Sequence, residues 1–110
     1  SGPSGGFGEL LLPHVQQGSS FFGGKSNPVV AESMVHACLQ VFGCDAAVQA
    51  AVQRAELHLN VFEPVAAINL LDAFALLERA VDRFDRHCVR GLRLDAQRCA
   101  QLAAMVEARP

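Results

Sequence analysis

The residues best suited to chemistry lie in one short stretch, residues 18–28, which reads Gly-Ser-Ser-Phe-Phe-Gly-Gly-Lys-Ser-Asn-Pro. Ser19 and Ser20 supply hydroxyl groups, and Lys25 supplies an ammonium group a few residues later. A pair of glycines just before the lysine frees the backbone next to these polar groups. Nothing in the stretch is suited to filling a core. The residues alone therefore predict a flexible, anion-binding loop that carries a spare nucleophile.

A long helix is predicted directly after this loop. Asn27 is a good N-cap, and Pro28 fits the first helical position, where its missing N–H costs nothing. From Val29 to about Ala51 the apolar residues fall on nearly all faces of the helix. A helix that is apolar all round is normally buried all round, so we expect other helices to surround this one.

Two further helices are predicted downstream. Residues 60–63, Asn-Val-Phe-Glu, have the form of a capping box, and the second long helix runs from there to about Cys88, with Gly91 as a natural stop. Asp95 is placed to cap a third, shorter helix that ends near residue 107. A short extended segment over residues 9–13 precedes the loop.

The predicted fold class is all-α: long antiparallel helices of a helical bundle, preceded by an irregular Gly/Ser-rich loop and followed by a short C-terminal helix. At about 1.5 Å per residue, each long helix exceeds roughly 30 Å. Two such rods joined by a turn form a hairpin rather than a core. Their apolar surface needs further helices, so the sequence predicts assembly into a bundle.

Composition restricts the partners. The chain has 110 residues, with 9 Lys+Arg against 11 Asp+Glu and a net charge of −2. The charges form no basic face, so we expect no nucleic-acid partner. We also predict no membrane partner and a cytoplasmic location, because no apolar run approaches a membrane span and the N-terminus lacks signal-peptide features. With 51% hydrophobic and only 18% charged residues, much of the surface is expected to meet other subunits or a larger body.

The cysteines are predicted to be reduced, buried thiols, because they lie inside helical patterns and form no short-spaced framework. Their spacing also lacks the close pairs that a zinc site needs. We therefore expect neither a metal nor another cofactor. The four are Cys38, Cys44, Cys88 and Cys99.

The pattern Gly18-Ser19-Ser20-x-x-x-x-Lys25-x-Asn27-Pro28 resembles the signature of the fumarase/aspartase superfamily. Members carry Gly-Ser-Ser-x-Met-Pro-x-Lys-x-Asn-Pro in a flexible active-site loop. The similarity continues along nearly the whole chain, at residues 8–13, 59–64 and 88–91. The chain is identified as a member of this superfamily, similar to the C-terminal portion of its subunits.

The resemblance implies an elimination reaction beta to a carboxylate. A base removes a C3 proton, the carbanion is stabilised as an aci-carboxylate, and the C2 substituent then leaves. The family match assigns the base to Ser19, whose alkoxide the loop amides must stabilise while closure of the loop excludes water. It assigns substrate contacts to Ser20, Lys25 and Asn27, where the ammonium offsets the second negative charge on the aci-carboxylate.

Glu32 matches an acidic residue that orients a catalytic histidine in family members, and is a catalytic candidate by resemblance. Other interpretations stay open: Glu32 as a first-turn residue favoured by the helix dipole, Asn27 as an N-cap, and Ser19 as a turn serine. None of the local histidines matches the family's catalytic one, and all are predicted to be structural or exposed. They are His14, His36, His58 and His87.

Two departures from the family pattern affect the expectations. Phe22-Gly23 stands where members have Met-Pro, which leaves substrate choice open. Family subunits are several times longer, and their sites combine segments from three subunits of a tetramer. The resemblance divides this chain into residues 1–28 with the loop, residues 29–92 with two helices of the central bundle, and residues 93–110 as the start of a small C-terminal helical domain.

Residues 60–65 favour the aspartate ammonia-lyase type, which acts on the dicarboxylates aspartate and fumarate. Class II fumarate hydratase is the alternative. An alternative of another class is a non-catalytic helical module retained for assembly. We expect a homotetramer, and we expect the 110 residues to be inactive by themselves.

Overall fold

The computed structural model describes residues 6–107. The helices of this part are α1 (Val29–Val52), α2 (Glu63–His87) and α3 (Ala96–Glu107), with a 3₁₀ turn at Val89–Gly91 and short strands β1 (Leu10–Leu11) and β2 (Arg93–Leu94). The predicted all-α class is confirmed. The chain forms two compact units, residues 29–84 and the described parts of residues 1–28 and 85–110. The three-part division by resemblance stays a prediction.

Helix α1 shields one face and exposes the opposite one. A row of shielded positions recurs every three or four residues and consists of Val30, Met34, Ala37, Val41, Cys44, Val48 and Ala51. On the other side, Val35, Leu39 and Phe42 form an exposed apolar stripe in which Phe42 is 68% accessible. The prediction that α1 is buried all round is therefore wrong for the single chain, because one chain covers only one side of the helix.

Helix α1 is also long and apolar enough to span a membrane by length and composition, with a mean hydropathy of 1.3 over its best window. The expectation that no apolar run approaches that length was wrong. A core helix of a helical bundle meets the same criteria. The length of α1 is therefore weak evidence for a membrane location.

A tight turn reverses the chain between α1 and α2. The backbones of Glu56 and Leu59 exchange two N–H···O bonds of 2.8 and 2.9 Å, and His58 at the turn has a φ of 63°. Asn60 then leads into α2, as the capping pattern predicted. Its Oδ1 accepts a 2.9 Å hydrogen bond from the N–H of Phe62, and its carbonyl accepts one of 3.3 Å from Glu63.

Helix α2 is polar over its C-terminal half, where Glu78, Arg79 and Arg83 are exposed. Its partly shielded positions follow a helical row: Ala66, Asn69, Ala73, Leu76, Ala80 and Phe84. Ile68 and Phe74 are apolar and exposed on other faces. The helix ends at His87, four residues before Gly91, which closes the following 3₁₀ turn instead.

The two strands tie the beginning of the described chain to its end. β1 pairs antiparallel with β2, Leu10 opposite Leu94 and Leu11 opposite Arg93. Just beyond the ladder, the N–H of Asp95 donates a 3.0 Å bond to the carbonyl of Glu9. The extended segment was predicted, but its partner strand was not.

Asp95 caps α3 as predicted. Its Oδ1 accepts a 2.9 Å hydrogen bond from the N–H of Arg98, which satisfies one of the free donors at the helix start. The Arg98 guanidinium in turn donates through Nε to the Phe7 carbonyl at 2.7 Å. All four cysteines are free thiols, with Cys44 and Cys88 buried.

Candidate active site

The Gly/Ser-rich loop is closed at its base. The N–H of Gly18 donates a 2.8 Å hydrogen bond to the carbonyl of Lys25, which brings the two ends of residues 18–25 together. The Asn27 carboxamide lies against Gly18, since a Cβ built on that glycine would stand 2.7 Å from Asn27 Oδ1. The loop is therefore a defined turn that only a glycine at position 18 can close without displacing Asn27.

Ser19 lies inside this loop with its side-chain oxygen held by two backbone amides. The N–H groups of Phe21 and Phe22 each donate to Ser19 Oγ at 3.1 Å. A hydroxyl oxygen that accepts two N–H bonds is stabilised as it gains negative charge, because both donors already point at it. The same pair of bonds also stabilises a simple serine turn, so the geometry suits both interpretations of Ser19.

Two phenylalanine rings form the tip of the loop. The rings of Phe21 and Phe22 meet edge to face, with centroids 5.1 Å apart and an interplanar angle of 83°. Phe21 is 87% exposed. Gly24 follows with a φ of 77°, a conformation that favours glycine. The loop thus presents an apolar tip directly beside the two amides that hold Ser19.

The other predicted substrate contacts differ in how far their side chains are exposed to solvent. Ser20 and Lys25 are exposed, and Asn27 is half-buried at the loop base. The N-cap bond predicted for Asn27 is not among the hydrogen bonds of residues 6–107. The loop therefore brings Ser19, Lys25 and Asn27 into one turn, with Ser20 beside them in sequence.

Glu32 is exposed in the first turn of α1, in the other compact unit. Its catalytic role stays a prediction. Residues 6–107 contain no group of three or more His, Cys, Asp or Glu side chains arranged to hold a metal ion.

His14 has a role that the sequence did not reveal. Its Nδ1 lies 2.8 Å from Ser26 Oγ, a side-chain hydrogen bond that spans the whole loop. His14 is exposed, as predicted, but it is bonded to the residue between Lys25 and Asn27. His14 lies outside the loop motif, and Ser26 fills a position that the motif leaves unspecified, so only the hydrogen bond between them reveals the pair.

The fold and the loop together define an all-α chain with a serine-bearing, glycine-rich loop ahead of a long apolar helix. Known proteins are similar to it in sequence and in fold. The chain is 43% identical over 102 residues to fumarate hydratase class II 2 of Bradyrhizobium diazoefficiens, covering 93% of this chain and 22% of the relative. It is 40% identical over 102 residues to aspartate ammonia-lyase of Pseudomonas aeruginosa, with the same coverage.

Solved structures agree with the sequence relatives. The class II fumarase of Schistosoma mansoni superposes with a TM-score of 0.85 at 38% identity, over 92% of this chain and 21% of that one. The fumarate lyase:delta crystallin of Brucella melitensis gives a TM-score of 0.82 at 44% identity, over 92% and 22%. No family model matches the chain.

The chain belongs to the fumarase/aspartase superfamily. It spans about 22% of the length of the curated relatives it matches, and this fits a C-terminal portion of the family's subunit. Relatives named as hydratases and as ammonia-lyases are similar to the chain to nearly the same degree.

Proposed function

We propose that the chain supplies the base-bearing loop and part of the helical bundle of a dicarboxylate lyase. The leading reaction is elimination of ammonia from L-aspartate to give fumarate. The observation that carries the proposal is the pair of N–H bonds to Ser19 Oγ, from Phe21 and Phe22. They support this serine as a base, because a serine oxygen needs stabilisation as an alkoxide before it can remove a proton from carbon.

The proposed reaction begins at the C3–H bond of the substrate. Ser19 acts as its alkoxide: Oγ takes the C3 proton and becomes a neutral hydroxyl. The electron pair of the broken C–H bond moves into the neighbouring carboxylate, which becomes a dianionic aci-carboxylate. The pair then returns to form the C2=C3 double bond as ammonia leaves C2. The two amides stabilise the alkoxide form of Ser19 and so increase its population, which makes the proton-accepting form available for the reaction.

Lys25 and Asn27 support this scheme through charge and hydrogen bonding. The exposed Lys25 ammonium would lie against the substrate carboxylate and offset the second negative charge of the intermediate. The Asn27 carboxamide and the exposed Ser20 hydroxyl would donate hydrogen bonds to the same substrate. Glu32 would orient a histidine supplied by another segment of the assembly, as the family resemblance implies.

Hydration of fumarate is the second candidate reaction. It is favoured by relatives named class II fumarate hydratase, one of which is 44% identical over 102 residues. Both reactions share the C3 proton transfer and the aci-carboxylate. They differ at C2, where ammonia leaves in the first reaction and water adds in the second. Residues 18–28 are proposed to act at C3, the other end of the bond.

We propose that the protein acts as a homotetramer. Val35, Leu39 and Phe42 on α1 and Ile68 and Phe74 on α2 leave apolar surface exposed, which favours burial against further helices. The chain alone would lack the remaining walls of the site. We therefore propose that the chain is inactive in isolation. We also propose that the enzyme is cytoplasmic.

A segment exchange tests the proposal. Residues 6–107 replace the matching segment of P. aeruginosa aspartate ammonia-lyase, and fumarate is followed by its ultraviolet absorbance with L-aspartate as substrate. The expected result is turnover that Ser19→Ala removes and Ser33→Ala retains, since the Ser33 hydroxyl donates to the Val29 carbonyl within α1. The same exchange into the B. diazoefficiens hydratase tests the second reaction.

If only the exchange into the hydratase gives turnover, the proposed reaction is hydration and not ammonia elimination. If both exchanges give correctly assembled tetramers without turnover, the lyase proposal is contradicted. The remaining interpretation of the chain is then a non-catalytic helical module retained for assembly. Correct assembly is measured by light scattering coupled to size-exclusion chromatography.

A further inference from the structure

The hydrogen bond between His14 and Ser26 acts on the segment that carries the proposed substrate contacts. His14 Nδ1 and Ser26 Oγ are 2.8 Å apart, and twelve residues separate them in sequence. Ser26 lies between Lys25 and Asn27, so a constraint on Ser26 constrains both neighbours. The bond is a second link across the loop, outside the Gly18–Lys25 bond at its base.

One end of this link belongs to a fixed part of the fold. His14 follows Pro13, whose ring packs so closely on Gly91 that a Cβ there would be 2.5 Å from Pro13 Cγ. Leu11, two residues before Pro13, is paired with Arg93 in the two-stranded ladder. Strand pairing and packing thus fix the backbone at His14. The loop that carries Ser26 is the more mobile partner of the hydrogen bond.

The link needs a suitably placed hydrogen-bonding atom. A serine hydroxyl both donates and accepts, and the ring nitrogen takes either role according to its tautomer. The side chain of asparagine places a polar atom at nearly the same distance from the backbone as Nδ1. His14→Asn should therefore preserve the link, whereas His14→Ala removes it.

We propose that His14 is a positioning residue: through Ser26 it holds Lys25 and Asn27 in place for a dicarboxylate. The part of this proposal that concerns substrate binding rests on the proposed function. His14 does not touch the reacting atoms, and its effect reaches the substrate only through the position of the loop exit.

The sequence supplies a direct test. Lys25 is the only lysine in the chain, so a lysine-specific endoprotease cuts only the Lys25–Ser26 bond. Such cleavage follows the population of the opened loop. Losing one hydrogen bond should raise that population, so His14→Ala is expected to be cut about 3- to 10-fold faster than the wild type, with His14→Asn close to the wild type. His36→Ala, an exposed histidine on α1, is the matched control and should not change the rate.

A second cleavage separates loop opening from unfolding. Arg54 is exposed in the connection after α1. The chain has eight arginines, so cleavage by an arginine-specific protease is followed through the fragment that ends at Arg54. The cleavage rate at Arg54 should be the same in all four proteins. Equal Lys25 cleavage in His14→Ala and the wild type would overturn the proposal, as would a failure of His14→Asn to restore the slow rate.

Fumarate added to the segment-exchanged tetramer, which supplies the other walls of the site, distinguishes this inference from the proposed function. Cleavage after Lys25 is followed there by the masses of the fragments. Fumarate should slow cleavage at Lys25 in the wild type and His14→Asn, and a several-fold higher concentration should be needed in His14→Ala. Faster cleavage of His14→Ala with no effect of fumarate on any protein would overturn Lys25 as a dicarboxylate contact, and so the proposed function, while the link itself is retained.

Discussion

Gly91 lies directly against the ring of Pro13. A Cβ built on this glycine would stand 2.5 Å from Cγ and 3.3 Å from Cβ of the proline. A proline ring cannot swing aside as a flexible side chain does, so any larger residue must move backbone. This contact joins the chain just before the candidate loop to the 3₁₀ turn after α2.

Gly91→Ala should therefore destabilise the fold. Forcing a methyl group into occupied space costs about 1–3 kcal/mol in the free energy of unfolding. Urea denaturation followed by circular dichroism measures the change. Unchanged stability would mean that the Pro13 segment moves freely.

Gly43→Ala is the matched control and should have the opposite sign. Gly43 lies inside α1, and a Cβ there would meet nothing within 4 Å. Replacing a glycine by alanine inside a helix stabilises it by about 0.5–1 kcal/mol. A loss of stability in this variant would show that another surface needs the space at position 43.

Ser19→Ala should abolish turnover in the segment-exchanged lyase while leaving its fold intact. The substitution removes both the proposed base and the acceptor for the Phe21 and Phe22 amides. Loss of a general base lowers kcat by about 10²–10⁴-fold. Steady-state fumarate formation measures the effect, and a loss of less than about tenfold would contradict Ser19 as the base.

His58→Gly should stabilise the turn between the long helices. His58 has a φ of 63°, a conformation that costs an L-residue more than it costs glycine. Part of this gain is offset by the larger entropy of glycine in the unfolded chain, so we expect a net gain of about 0.5–1 kcal/mol. Denaturant unfolding measures it. Leu57→Gly, one residue earlier and without a positive φ, should destabilise instead.

Leu39→Glu should weaken self-association. Leu39 lies in the middle of the exposed apolar stripe of α1, and a carboxylate buried there against another helix would lack a partner. Light scattering coupled to chromatography should show a shift toward monomer. Gln40→Glu adds the same charge at an exposed neighbouring position and should leave the assembly unchanged. A wild-type monomer at all concentrations would contradict the assembly proposal.

Local signals predicted the helices well. Asp95 caps α3 as its spacing indicated, and Asn60 accepts a hydrogen bond in the turn that leads into α2. Each helix ends within a residue or so of its predicted end. These features depend on residues three or four positions apart, where sequence carries the information directly. The loop amides around Ser19 were also expected, since the family resemblance required donors there.

Contacts between distant residues were not predictable. The pairing of Leu10 with Leu94 and the bond between His14 and Ser26 depend on how the chain returns to itself, and two-residue strands leave no periodic pattern. The exposure of Phe42 was missed for a different reason. Its apolar type indicates burial, but none of the residues that the structure describes covers it.

The ladder between β1 and β2 also sets an order of events during synthesis. Phe7, Glu9 and Leu10 find their partners in Arg98, Asp95 and Leu94, which leave the ribosome more than eighty residues later. At about 5–20 residues per second, the N-terminal segment waits several seconds for them while residues 29–84 are made. The loop with Ser19 therefore gains its anchor last. A nascent chain stopped before β2 would carry every residue of the loop without the support beneath it.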